Sequence, residues 1–207
     1  MSLRFSEEEF QAFMARRGKG SAAGKSATPS RVKAVPKTSY AGRGLEFEKL
    51  ISISNEAYFR AGIAYVFKVP TSSRIINRDG KPIQIQLPSP VDYAGSWQGR
   101  ALALEAKETH EARWPLSKIL EHQIQFLLDW QRGGGIAGIL IRFAVQDKVF
   151  WLPIGELMNF TERKVRGGRK SIALLELGDR WVVRGTKRAA LDYLETIERW
   201  LAQWRGV

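Results

Sequence analysis

The chain has 207 residues, 44% of them hydrophobic, with 33 lysines and arginines against 21 acids, for a net charge of +12. No cysteine is present, which excludes a disulfide framework, a thiolate metal site and a cysteine nucleophile. The charge points to a polyanionic partner, nucleic acid first and an anionic membrane surface second.

From the N-terminus, MSLRFSEEEF is acidic where a secretory leader is basic and then apolar. No apolar run approaches the roughly 18 residues of a membrane span, and the lack of cysteine fits a cytoplasmic setting. Ser6-Glu7-Glu8-Glu9 reads as a capping box, with Phe10, Phe13 and Met14 following at helical spacing. Residues 15–43 then contain no acid and eight bases: Arg16, Arg17, Lys19, Lys25, Arg31, Lys33, Lys37 and Arg43. Rich in Gly, Ser, Ala and Pro, this stretch buries too little to fold alone. Residues 1–43 are therefore expected to form a flexible basic arm with a short helix, suited to DNA phosphates.

A folded domain is expected over 44–207. Phe47, Leu50, Ile51, Ser54, Tyr58 and Ala61 form a helical stripe that Gly62 ends. IAYVFKVP (63–70) reads as a strand, and two alternating runs flank Asp79-Gly80 as in a hairpin. This second segment, 71–90, is expected to project from the body. VDYAGSW (91–97), a turn at Gln98-Gly99 and RALALEAK (100–107) suggest another hairpin. From Pro115, a helix with Leu116, Ile119, Leu120, Ile124, Leu127 and Leu128 on one face should end before Gly133. IAGILIRF (136–143) and KVFWLP (148–153) read as strands, 162–171 as a basic loop containing Arg169 and Lys170, and 188–205 as a closing helix. The order implies an α/β fold, a mixed sheet flanked by helices.

The chemistry concentrates in LEAKET (104–109) and the aspartate before it. On a strand, Glu105 and Lys107 leave the same face. Asp92 lies thirteen positions before Glu105, and a hairpin turning at Gln98-Gly99 sets the two strands side by side. An aspartate followed by E-x-K is the nuclease pattern written PD-(D/E)xK. The two carboxylates hold a divalent cation that polarises phosphate and generates the nucleophile, while the lysine offsets charge growing on phosphorus. Two carboxylates without a cation would repel and raise one pKa. With only His110 and His122 available, the donors must be mostly oxygen and the cation hard. Gln123 falls on the apolar stripe of its helix, where a buried amide needs partners. Its carbonyl is a further ligand candidate. Glu48 lies one residue beyond the core face of the first helix.

The stretch PVDYAGSWQGRALALEAKETHEARWPLSKILEHQIQFLLDWQRGGGIAGILIRF (90–143) resembles the RecU-type Holliday junction resolvases, whose D-Y…G…G…EAKET…FPL…EHQ…GG succession it carries. The likeness begins at Arg43-Gly44 and runs to about residue 195. It implies a homodimeric, restriction-endonuclease-like fold with a short stalk at 71–90, cutting four-way DNA junctions with Mg²⁺ or Mn²⁺. Asp92 and Glu105 would ligate the metal, Gln123 would complete the site, Lys107 would stabilise the transition state, and Glu48 best matches the family's glutamate on the first helix. Four departures fit a phage-borne or divergent member, the first being that the stalk at 71–90 is shorter than the family's. Pro90 stands where the family has a threonine, one residue is missing between Glu105 and Gln123, and the tail with Trp200 and Trp204 has no obvious counterpart. A recombinase or branch-migration helicase is a possible partner in such a role. The alternatives are a restriction- or repair-type nuclease on linear duplex with the same fold, and a basic DNA-binding protein without catalysis.

Overall fold

The computed structural model describes residues 43–71, 73–86 and 89–204. The basic arm and its short helix, expected before residue 43, lie outside these, and so do the side chain of Arg43 and the end of the closing helix.

Helix α1 (Arg43–Arg60) buries Phe47, Ile51, Ser54 and Tyr58 of the predicted stripe and Asn55 besides, while Leu50 is half-buried and Ala61 exposed. Strand β1 (Ala64–Lys68) follows. Strands β2 (Ser73–Arg78) and β3 (Lys81–Gln86) then form a two-stranded antiparallel sheet of their own. Asp79 and Gly80 turn that hairpin with φ of 54° and 76°, and Gln98 and Gly99 turn the next with 49° and 72°. Positive φ at both central positions matches the right-handed twist of the flanking strands.

The second hairpin, β4 (Tyr93–Trp97) and β5 (Arg100–Thr109), enters the main sheet. A short β6 (Arg113–Pro115), a 3₁₀ turn (Leu116–Lys118) and α2 (Glu121–Arg132) connect β5 to β7 (Ile136–Phe143), which runs parallel to it. Strand β8 (Lys148–Pro153) and α3 (Ile154–Val165) come next, then β9 (Ser171–Ala173) and α4 (Leu174–Leu177). A 3₁₀ turn (Asp179–Trp181), β10 (Val182–Val183) and α5 (Tyr193–Trp204) complete the described chain. The main sheet has the order β1-β4-β5-β7-β8-β10 and is antiparallel except for the β5–β7 pair.

Helices cover both faces. Tyr93, Leu104, Gly138 and Pro153 align across the sheet on the face of α1 and α5, and Glu105, Ile139 and Leu152 align on the face of α2 and α3. On the first face, Trp151 packs edge-on against Trp200 of α5, with ring centroids 5.1 Å apart. Gly138 makes room for it, because a Cβ there would lie 2.8 Å from the Trp151 ring nitrogen. Asp192, buried just before α5, accepts from the hydroxyls of Tyr58 and Thr186 and from Arg188, tying α1 to the C-terminal segment. Burial alone would push the Asp192 carboxyl up, but Arg188 and the two hydroxyls hold it below the usual carboxylate range.

Several elements depart from the sequence expectation. The helix predicted from Pro115 begins at Glu121, because Arg113–Pro115 pair with Ser171–Ala173 and the chain must turn before it can coil. Leu116 and Ile119 are still buried, whereas Leu120 is exposed. The basic loop is shorter than expected: residues 162–165 close α3, a helix the sequence reading passed over, and only 166–170 form the loop. The closing helix starts at Tyr193 instead of 188, since Asp192 caps it by accepting the Glu195 N–H.

Candidate active site

Asp92 sits one residue before β4. Its backbone carbonyl accepts the Val69 N–H at 2.8 Å, anchoring it beyond the end of β1. The β4–β5 register pairs Tyr93 with Leu104, so one further step sets Asp92 opposite Glu105. The strand stops pairing there. Instead of continuing the ladder, Oδ2 of Asp92 accepts the Ala106 N–H at 2.9 Å.

Glu105 is fully buried in the middle of β5, flanked by β4 and β7. Its Oε1 accepts two bonds, one from Nζ of Lys107 and one from Nε2 of Gln123 at 2.6 Å. Its Oε2 is buried and has no hydrogen-bond partner. Burial pushes the Glu105 carboxyl up to about 7, the Asp92 charge pushes the same way, and Lys107 opposes both. Lys107 keeps a fifth of its side chain open to solvent, so its ammonium reaches from the buried carboxylate to the surface.

Gln123 lies in the first turn of α2, nearly buried. Its amide nitrogen faces Glu105, and its carbonyl accepts the Leu120 N–H at 3.2 Å. The structure thus brings Gln123 to the site by its nitrogen. Glu48 is placed elsewhere: it pairs with Lys68 at 2.6 Å, hydrogen-bonds neither Asp92 nor Glu105, and lies with α1 on the opposite face of the sheet. Its charge and that of Asp92 nevertheless help burial hold the Tyr93 hydroxyl above its usual range. Arg169 and Lys170 are exposed in the loop between α3 and β9.

Sequence reasoning did not single out Lys118 or Arg142. Lys118 Nζ donates to the Glu108 carbonyl at 3.0 Å, pinning the turn before α2 to the site strand. Arg142 of β7 pairs with Glu108 at 3.5 Å and Asp147 at 3.2 Å, bracing the same strand from its other face. The partners of both follow from the β5–β7 register and the turn before α2, which no local pattern announces.

The arrangement suits a hard divalent cation. Each carboxylate commits one oxygen to the protein, and Oε2 of Glu105 is left buried without a donor. A buried carboxylate oxygen in this state costs free energy unless a cation or proton meets it. Among the described residues no cluster of three or more carboxylate or imidazole groups converges. The two carboxylates would be the donors at hand, as suits an ion that keeps several waters.

Comparison with known proteins gives a consistent picture. Residues 42–199 match the family model described as Recombination protein U. The chain is 34% identical over 173 residues to Holliday junction resolvase RecU of Staphylococcus saprophyticus, covering 79% of this chain and 83% of that protein. It is 36% identical over 149 residues to the protein of the same name from Lacticaseibacillus casei, covering 68% and 72%. A similar match at 32% identity, covering 77% and 85%, is found to the protein of that name from a Geobacillus species. Among solved structures it is similar to Archaeoglobus fulgidus Hjc, a Holliday junction resolvase, with 17% identity and a TM-score of 0.35 over 55% of this chain and 78% of that one.

Proposed function

This chain belongs to the Recombination protein U family, and from that premise we propose that it is a Holliday junction resolvase, an endonuclease that hydrolyses DNA strands at four-way junctions during recombination and repair. The observation that carries the reading is the pairing of Asp92 with Glu105 beside Lys107, with one Glu105 oxygen buried and unpartnered. Asp92 and Glu105 would hold Mg²⁺, with Mn²⁺ as a substitute. When bound, the cation supplies charge that polarises a phosphate oxygen and acidifies water. Lys107, reaching solvent from the same face, donates to the non-bridging phosphate oxygen as negative charge grows there. The β4–β5 hairpin and the ladder to β7 hold these groups in place, so little reorganisation is needed when DNA arrives.

DNA contacts come from bases outside the carboxylate pair. Arg169 and Lys170 are exposed on their loop, and the arm contributes Arg16, Arg17, Lys19, Lys25, Arg31, Lys33, Lys37 and Arg43. Phosphate contacts of this kind supply affinity and register. The β2–β3 hairpin, with Arg74, Arg78 and Lys81 on one face, serves as the stalk. In this reading Glu48, held by Lys68, acts on the site only through its charge.

We take the working form to be a homodimer. Resolution requires two cuts, and the described residues of each chain carry one such carboxylate pair. On edge strand β1, Tyr65 and Phe67 are about half exposed and continue a row of rings from Phe59, with centroids 5.6 Å apart at each step. Such an apolar row on an open sheet edge supports docking of a second copy. No helix among the described residues is long and apolar enough to cross a membrane, and a chromosomal DNA substrate would put the protein in the cytoplasm.

The test is incubation with a mobile four-way junction and with matching linear duplex, each with and without Mg²⁺. Paired incisions on the junction alone, and only with the cation, are expected. Equal cleavage of the duplex would point to a restriction- or repair-type enzyme, and junction binding without any cleavage to an architectural protein.

A further inference from the structure

Strand β4 stops pairing before β5 ends. Its last pair is Tyr93 with Leu104, so residues 105–109 of β5 have β7 on one side and, among the described residues, no strand on the other. Backbone groups alternate in direction along a strand. The Ala106 N–H meets Asp92 on the β4 side, and the Thr109 carbonyl meets the Ala144 N–H on the β7 side. The Glu108 carbonyl therefore looks out on the same open edge as Asp92, two residues further on, or about 7 Å along the strand. Lys118 fills that edge. Its Nζ donates to the Glu108 carbonyl at 3.0 Å, a neutral acceptor that takes one ammonium hydrogen and offsets none of the charge. Other bases on and beside the site strand are matched to acids: Lys107 to Glu105, Arg142 to Glu108 and Arg113 to Glu176. Lys118 is exposed and, among the described residues, has no carboxylate within ion-pair distance. The 3₁₀ turn that carries it is fixed at a second point, where the Leu116 N–H donates to the Lys170 carbonyl at 3.0 Å. That bond joins the turn to the exposed loop of Arg169 and Lys170.

We infer that Lys118 binds the phosphate next to the scissile one on the cut strand, with its ammonium held in place by the Glu108 carbonyl. The inference rests on the reading of Asp92, Glu105 and Lys107 as the cutting site and adds the course of the strand past it. The scissile phosphate meets the carboxylate pair, and its neighbour lies one step along the open edge of β5. A free lysine gives up rotamer freedom when it grips an anion. Here the carbonyl already fixes the side chain, and two N–H groups remain for phosphate. A contact to a phosphate that does not react is equally strong before and during the reaction, so it acts on KM and not on kcat. That sets Lys118 apart from Lys107, which in the same reading meets the group where charge grows.

A salt titration of four-way junction binding by the full chain, without metal, compares wild type, Lys118→Gln and Lys118→Arg. Lys118→Gln loses the charge but keeps an amide N–H for the Glu108 carbonyl, and Lys118→Arg keeps both. The slope of log K against log salt should become shallower in Lys118→Gln by about 0.9 for each Lys118 engaged, with Lys118→Arg at the wild-type slope. Junctions carrying one neutral methylphosphonate, placed in turn at each position flanking the cut, locate the phosphate. Next to the cut, the neutral linkage should weaken binding by wild type and leave binding by Lys118→Gln where it was. Equal penalties in both proteins at every position would mean that Lys118 only pins its turn, and would overturn the inference. With Mg²⁺, cleavage by Lys118→Gln should fall through a raised KM, and a fall confined to kcat would overturn the inference as well. Asp92→Asn separates the two levels. Cutting by Asp92→Asn at the wild-type rate would overturn the reading of the site and the inference with it. An unchanged salt slope in Lys118→Gln beside an inactive Asp92→Asn would overturn the inference alone.

Discussion

In the proposed role Glu105 meets two opposing demands: it would have to be ionised to hold a cation, yet it lies where water does not reach. Neutralising either member of the carboxylate pair removes ligand charge without touching the exposed bases. Asp92→Asn and Glu105→Gln are therefore expected to lower cleavage by more than 100-fold, an amount on the order of 3 kcal/mol of barrier, and to leave junction binding in gel shifts unchanged. Lys107→Ala should lose turnover while still binding Mn²⁺, and cleavage within tenfold of wild type by any of the three would remove the assigned site. The metal-free protein also has a pH signature. Folded, Glu105 keeps its proton up to about 7 instead of the ordinary 4.5. Between those values the native state holds more protons than the unfolded state, so its contribution to stability is full below the lower value and is lost as pH rises through the upper one. Between pH 5 and 8, urea unfolding without metal should show wild type losing roughly 2–3 kcal/mol relative to Glu105→Gln. Parallel curves for the two proteins would show that Glu105 does not titrate in this window. Mg²⁺ should reverse the wild-type loss, because it binds the native state alone.

At the level of elements, the β1–β4 contact sets how closely the edge strand approaches the site. Gly95 faces Val66 in that pair, and a Cβ on it would lie 2.0 Å from the Tyr65 carbonyl oxygen and 2.7 Å from the Val66 Cα. Both obstacles are backbone, so no side chain can rotate aside and β1 itself must move. Gly95→Ala is expected to cost about 2–3 kcal/mol, as an overpacked core position does, which chemical denaturation would measure. A loss below about 0.5 kcal/mol would mean that β1 is free to slide outward. The same strand end donates the Val69 N–H to Asp92, so a displaced β1 should also weaken Mn²⁺ binding.

For the molecule as a whole, the proposed reading makes charge and symmetry govern how DNA would be held and cut. Each phosphate neutralised by Lys or Arg contributes about −0.9 to the slope of log K against log salt on duplex DNA. Removing residues 1–40, which carry eight of the arm's bases, should flatten that slope and weaken junction and duplex binding together. An unchanged slope would make the arm a linker, and a loss confined to junctions would place it at the junction centre. Closed twofold pairing is the commonest way to supply two equivalent sites. Mixing wild type with excess Glu105→Gln should then give mixed dimers that nick one strand and leave the junction unresolved. Duplex products in proportion to total wild-type chains would show that the two sites act independently.

The sequence by itself determined that Asp92, Glu105 and Lys107 would meet. Period-two alternation puts Glu105 and Lys107 on one face, and the turn at Gln98-Gly99 is short enough to bring Asp92 opposite them. These are local relations, set by backbone geometry within a few residues. The α1 stripe and the parallel β5–β7 crossover were legible for the same reason, as apolar spacing and chain order. Where α2 begins was not, because the residues from Arg113 to Pro115 are claimed by a strand more than fifty positions away. Nor was the separation of Glu48, which α1 packing carries to Lys68 on the other face of the sheet. The direction of the Gln123 amide also belonged to tertiary structure. A buried glutamine on an apolar stripe announces that it needs partners, but which end meets which is decided by the donors and acceptors that folding brings around it: here the Leu120 N–H on one side and a carboxylate from another strand on the other.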